Sequence, residues 1–403
     1  MNLPNFHQQP HFLRATFHIN TPMFVAGANQ KEAELTPTAF KGVMRFWWRA
    51  LNWSKISLKH NDKSSALKEL HRQEAELFGL ASGENKGGQG KCLVNTVKFD
   101  AENIKKWHYV GNRNGVNYLL GQGLFHFKNL LTREAILDKQ VFTVDLTINQ
   151  PLTTIIQDTL QIIGLLGGFG SRSRHGFGSV TLTKLEKKSL TDSGYQAIDF
   201  EKNATIALEN LLTSYDCKKN PELPPLSAFY QGTRIDVINF NNKTNALDLL
   251  NKIGEEQQMY RSYGRNGLVN GEKAEQRFDK DHDFAINMIK NKPNTIAHPQ
   301  RVVFGLPHNY FYSGNSTTGH SANVDASTGR RASPLFIHIH QTNNQYQAIH
   351  CLLRSEFLPN GATVDIKARR SQDKKSVKVN ANVDYQIIEN FMNRPLFNNK
   401  ESI

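Results

Sequence analysis

The sequence predicts an α+β fold in which antiparallel sheets carry helices on one face. Short alternating stretches rich in strand formers recur along the chain, separated by amphipathic or apolar helical stretches. Over the first 190 residues the order is strand, helix, strands, helix, strand. That is the element order of a ferredoxin-like domain, whose free sheet face is the one RNA-recognition modules use.

Residues 12–19 (FLRATFHI) alternate and read as the first strand, which Thr21-Pro22 breaks. Thr36 then serves as N-cap and Pro37 as the first residue of a helix that runs to about Asn52. Residues 55–90 read as a charged, partly helical insertion ending in Gly87-Gly88-Gln89-Gly90. Strands follow at 91–99 and 141–148, an apolar helix at 150–166, a glycine-rich loop, and a strand at Ser179–Leu185.

With 403 residues the chain is long enough for two domains. The expected division is 1–190, a helical connector at 191–225 with a short helix near Phe200–Leu212, and a second domain at 226–403. Strand signals in that domain are Thr233–Phe240, Arg301–Phe304, Leu335–His340 and Tyr346–Leu353. Helix signals are Ala246–Ile253, Phe284–Lys290 and Tyr385–Met392, and the polar stretch 261–282 reads as loop.

The formal net charge is +13, an excess that attracts polyanions. No apolar run approaches the roughly 20 residues of a spanning helix, and the N-terminal residues lack a secretory pattern, so no membrane partner is expected. Cys92, Cys217 and Cys351 are scattered and odd in number, which fits reduced thiols in a cytoplasmic protein.

Two basic elements carry the functional reading. In the helix at 37–52, Lys41, Arg45 and Arg49 recur every four residues and stack on one face, beside an apolar stripe of Phe40, Val43, Met44, Trp47 and Leu51. No carboxylate within the helix can pair with them. Such a row could track phosphates with Trp48 offering a stacking plane, or could be a solvated face paired with acids elsewhere. The second element is Gly168-Phe169-Gly170-Ser171-Arg172-Ser173-Arg174-His175-Gly176-Phe177-Gly178. Its glycines permit positive backbone dihedrals and close backbone approach, and its arginines present a planar fork suited to phosphate. A dinucleotide loop would follow a strand and open a helix; this one follows a helix and opens a strand. A tight structural hairpin explains the glycines but not the arginines.

The loop resembles the glycine-rich loop of the RAMP superfamily of CRISPR RNA-binding proteins. The helix stretch Phe40-Lys41-Gly42-Val43-Met44-Arg45-Phe46-Trp47-Trp48-Arg49-Ala50-Leu51 resembles one family within it, the Cmr-type subunit one of type III-B effector complexes. So do Thr21-Pro22-Met23-Phe24, Phe304-Gly305-Leu306-Pro307 and Arg330-Arg331-Ala332-Ser333-Pro334-Leu335. The resemblance implies two ferredoxin-like (RRM-like) domains with insertions, and a non-catalytic subunit of an antiviral ribonucleoprotein. It implies contact with the guide RNA's 3′ region and with target RNA beside other Cmr-type subunits. The residues expected to meet RNA are Lys41, Arg45, Trp48, Arg49, Gly168, Gly170, Ser171, Arg172, Arg174, His175, Gly176, Gly178, Arg330 and Arg331. The insertions at 55–90 and 255–285 match no pattern of the family.

Some related proteins cut RNA by metal-free acid–base chemistry, which makes His18 and His175 the candidates for an alternative, guide-RNA-processing activity. No base–acid pair is discernible, and neither a cofactor nor a metal is expected. His338, His340 and Cys351 fall on one strand face if Asn343-Asn344 makes a two-residue turn, but a fourth ligand is missing. Asp281-His282-Asp283 is similarly short of partners. Lys367, Arg369, Arg370, Lys374, Lys375 and Lys378, against Asp365 and Asp373, form either a second RNA-facing patch or a solvated loop.

Overall fold

The computed structural model describes residues 10–27, 32–80, 88–100, 104–128, 130–149, 152–240, 244–289, 298–312, 320–343, 345–370 and 373–403. The first half runs β1 (Pro10–Ile19), α1 (Pro37–Ser57), α2 (Lys63–Phe78), β2 (Cys92–Phe99), α3 (Asn114–Leu120), β3 (Phe125–His126), β4 (Leu130–Leu131), β5 (Val141–Asn149), α4 (Thr153–Leu166), β6 (Val180–Lys188), β7 (Gln196–Ala197) and α5 (Ala204–Ser214). Its main sheet has the order β2-β5-β1-β6-β7 and is antiparallel throughout.

Alternation along β1 sends Leu13, Ala15, Phe17 and Ile19 into the core. There Phe17 meets Phe40 of α1 and Phe142 of β5, ring centroids 5.8 and 5.4 Å apart. Thr36 caps α1 by accepting from the Ala39 N–H at 3.2 Å, with Pro37 in the first turn. The helix outlasts the expected Asn52 because its last turns are buried too, through Trp53, Ser54 and Ile56.

The second half runs β8 (Arg234–Asn239), α6 (Ala246–Arg261), β9 (Leu268–Val269), β10 (Glu272–Lys273), α7 (Asp279–Ile289), β11 (His308–Phe311), β12 (His320–Ala326), β13 (Leu335–Thr342), β14 (Gln345–Leu352), β15 (Thr363–Arg370), β16 (Asp373–Asn380), α8 (Gln386–Met392) and β17 (Lys400–Ser402). The sheet β13-β14-β8-β17 repeats the ferredoxin-like order, with α6 and α8 as its crossover helices. A further sheet, β11-β12-β15-β16, is built from two insertions and has its own apolar core against α7.

Three expectations change here. Arg301–Phe304 is part of a 3-10 turn, Gln300–Phe304, and not a strand. Of the two readings of the basic stretch, the solvated loop gives way to paired strands, Thr363–Arg370 and Asp373–Asn380 forming β15 and β16. The stretch 261–282 holds the small hairpin β9–β10 and the first turn of α7. The 3-10 turn is held by Asp281 and the β15 strand by β12, distant partners that local periodicity does not reveal.

The two ferredoxin-like units share a seam. Helix α3 lies on α6 at backbone contact: a Cβ on Gly115 would sit 1.9 Å from the Asn251 carbonyl oxygen, and one on Gly254 2.2 Å from that of Gly115. Val116, Leu119 and Leu120 of α3 thereby join the core of the second unit. The glycine-rich loop crosses the same seam. His175 bridges Ile337 in parallel, and the Ile337 N–H donates to the Arg174 carbonyl at 3.0 Å, so the loop covers the edge of β13.

Candidate nucleic-acid interface

The loop's shape follows from where its backbone must go. Gly170, Gly176 and Gly178 have φ of +86°, +84° and +64°. A Cβ at Gly170 would lie 2.2 Å from the Phe24 carbonyl oxygen, and one at Gly178 2.2 Å from that of Phe169. Glycine is required at both on two counts, conformation and space. The Ser171 N–H donates to Phe24 and the Gly178 N–H to Pro22, both at 2.9 Å, while the Thr21 hydroxyl donates to the Gly176 carbonyl at 2.6 Å. The Thr21-Pro22-Met23-Phe24 segment is thus the cradle of the loop.

So anchored, the loop forms one wall of a cleft of about 650 Å³. Ser171 to His175 contribute that wall, Gly123, Leu124 and Arg133 a second, and Arg261, Phe304–His308 and Arg330–Ser333 a third. Six arginines line it: Arg133, Arg172, Arg174, Arg261, Arg330 and Arg331. Among the described residues, no Asp or Glu does.

The six are not equivalent. Arg174 is held inward. It donates to the Ser333 carbonyl, and its guanidinium lies 4.4 Å from the Phe336 ring centroid. Burial, with Arg331 nearby, lowers its pKa to about 10. Arg331 donates to the Ser355 hydroxyl at 2.5 Å and lies over Phe357. Arg261 lies over Phe304 at 4.4 Å. The side chains of Arg133, Arg172 and Arg330 have no hydrogen-bond or ion-pair partner among the described residues. Arg172, at φ +65°, has its pKa lowered by burial and by the charges of Arg261 and Arg330. Uncompensated like charges held together in a half-buried cleft are costly, and an anion relieves that cost.

Residues 16–181, from β1 to the start of β6, match the family model of the RAMP superfamily. Over 191 residues, 42% of this chain and 94% of that protein, the chain is 26% identical to the CRISPR system Cmr subunit Cmr1-2 of Pyrococcus furiosus. The crystal structure of Cmr1 from Pyrococcus furiosus in its apo form superposes with a TM-score of 0.50 at 18% identity, covering 94% of this chain and 96% of that one. The fold, with its paired ferredoxin-like units, is therefore that of Cmr1.

Helix α1 does not share the cleft. Its Gly42, Val43, Phe46 and Trp47 face the loop, whereas Arg45 and Arg49 reach α2 and donate to the same Glu74 oxygen at 2.5 and 2.6 Å. The acid missing from α1 comes from the 55–90 insertion. Lys41 has no ion pair among the described residues, and its charge reaches the buried Cys92 thiol. Trp48 is not a stacking plane: it is 2% exposed and meets Phe78 edge-on inside the core. Lys41, Arg45 and Arg49 thus form a row of their own on the α2 side.

The histidines are also sorted. His175 is half-buried in the cleft wall with its Nδ1 enclosed, and desolvation plus Arg172, Arg261 and Arg174 push its pKa down to about 3. Its ring is neutral at neutral pH, and the enclosed Nδ1 has no hydrogen-bond partner among the described residues. His18 faces away from the core and bonds Asn20 at 2.9 Å. His338 and His340 donate through Nδ1 to the Gly167 and Gly164 carbonyls at 2.9 and 3.2 Å, tying the second sheet to the end of α4. Cys351 opposes Phe336 and so shares their face, but no group of three metal-ligating side chains converges among the described residues. Asn344 lies outside the described residues. Asp281 accepts from the Gln300 and Arg301 N–H groups at 2.8 Å and fixes the turn that leads into the cleft wall, while His282 stacks on Tyr263.

Sequence reasoning missed Arg133 and Arg261. Each is an isolated arginine with no local pattern, and only the seam brings both to the loop.

Proposed function

We propose that this chain is a non-catalytic RNA-binding subunit of a type III-B CRISPR ribonucleoprotein, acting in the cytoplasm beside other Cmr-type subunits. In this reading 1–190 and 226–403 are the two domains, 191–225 connects them, and the protein holds the guide RNA's 3′ region and the paired target RNA. The observation that carries it is the cleft with six arginines and no lining carboxylate. Guanidinium forks grip phosphate without reading sequence, which suits a complex in which base pairing does the reading. The Cmr name of the relative from Pyrococcus furiosus supports the assignment to such a complex. Among the described residues no helix is long and apolar enough to cross a membrane.

Arg172→Ala combined with Arg330→Ala should weaken RNA binding and flatten the slope of log K against log salt by about 2. A filter-binding series over salt measures this, and an unchanged slope refutes the cleft as the phosphate site. Incubation with labelled CRISPR repeat RNA in the absence of metal should leave it intact. Site-defined cleavage lost in His18→Ala would establish the nuclease reading instead.

A further inference from the structure

The arginine cleft continues beyond Arg133. Gly123 and Leu124 belong to its wall, and the chain passes from them into β3, turns, and returns through β4 to Arg133. The hairpin β3–β4 therefore springs from the rim of the cleft. At its tip Phe127 is 74% exposed, more than any other large apolar side chain among the described residues. A lone exposed apolar residue is ordinary, but three observations set this one apart. The His126 ring stacks beside it, centroids 4.8 Å apart, and the Lys128 ammonium lies 5.7 Å from its centre. Leu124 is three residues away, no more than roughly 10 Å of chain. A second hollow of about 520 Å³, lined by His108, Leu130 and the ion pair Lys106–Glu134 among others, shares Arg133 with the arginine cleft.

We infer that the hairpin tip is a stacking platform for an unpaired nucleobase, with Phe127 as the contacting ring, on the strand whose phosphates occupy the arginine cleft. This rests on the RNA reading above. A single strand offers both things the rim asks for: phosphates for Arg133 and Lys128, and a bare aromatic face for Phe127. A duplex hides its base faces within its own stack. A partner protein would have to bring an acidic and an apolar surface together at this point, and the continuity with unpaired arginines favours nucleic acid.

The test uses the full chain with labelled oligouridylate and, in parallel, a duplex of equal length. Phe127→Ala should weaken oligouridylate binding about tenfold, the usual size of one base–aromatic stack. Duplex affinity and the salt slope should not change. Phe127→Trp should retain affinity and lose tryptophan emission on binding, a clean reporter because Trp47, Trp48, Trp53 and Trp107 are buried. If wild type and Phe127→Ala bind oligouridylate equally, the platform is refuted while the arginine cleft stands. If the wild type binds neither RNA, the reading beneath it fails as well. If Phe127→Ala loses affinity for a purified partner subunit but not for RNA, the tip is a protein contact and the inference is overturned.

Discussion

Two sets of cations that look unlike in sequence end in opposite situations. Lys41, Arg45 and Arg49 repeat with helical spacing, and two of them share one buried carboxylate, Glu74. Arg133, Arg172, Arg261 and Arg330 share no spacing, yet they converge on a cleft that, among the described residues, no carboxylate lines. The difference lies in what the fold delivers to each. Helix α2 brings an acid to α1, while the seam brings further arginines to the loop. A regular basic row therefore says less about a polyanion site than a convergence that leaves arginines unpaired.

The comparison can be broken first at the loop. Gly178→Val forces a side chain into the space 2.2 Å from the Phe169 carbonyl oxygen, at a positive φ. It should cost roughly 4 kcal/mol, read as a lower urea midpoint, and RNA affinity should fall with it. An unchanged midpoint would show that the loop reshapes freely.

Acid attacks the same seam through its histidines. His175 and His340 are held near pKa 3 and 4, and His350, within the second unit, near 3, all by burial. In the unfolded chain each titrates near 6.5, so below that value the unfolded state binds protons that the folded state refuses. Stability is thus fully present above about pH 6.5 and lost as pH falls toward the folded values. From pH 6.5 to 5.5 each should cost about 1 kcal/mol. Melting curves should show a plateau above neutrality and a steep decline below it, and His340→Gln should make the decline shallower.

On the α1 side, Glu74→Gln removes the anion shared by two arginines that are each about a third exposed. Solvent screens that charge in part, so a loss of about 2 kcal/mol is expected by denaturant titration. The freed arginines should raise non-specific RNA affinity slightly, whereas an RNA affinity that falls would place Glu74 near the RNA path. The smallest effect belongs to Lys41→Ala, with no ion pair among the described residues to lose: under about 0.5 kcal/mol in stability. Its effect on the salt slope should be well below that of Arg172→Ala, and an equal effect would return α1 to the binding surface.

Much of the first unit was legible because its signals are local. Alternation marks β1 and β5, Thr36-Pro37 starts α1, and glycines at fixed places announce the loop. The second unit was legible where its strands are apolar, at β8, β13 and β14. It was opaque at β11, β12, β15 and β16, whose polar residues form strands only because they pair with one another over an insertion's core. Trp48 misled for a similar reason: its place beside the basic row says nothing about Phe78, which arrives from α2.

The sequence by itself determined the ferredoxin-like element order, the basic charge and a loop that only glycine can build. These depend on backbone preference and periodicity, which act over a few residues. The tertiary structure alone decided which arginines are paired, that the His175 Nδ1 is enclosed, and that Arg133, Arg172, Arg261 and Arg330 share one cleft. Charge compensation and desolvation depend on distance in space, and residues more than a hundred positions apart become neighbours only when the two units close on their seam.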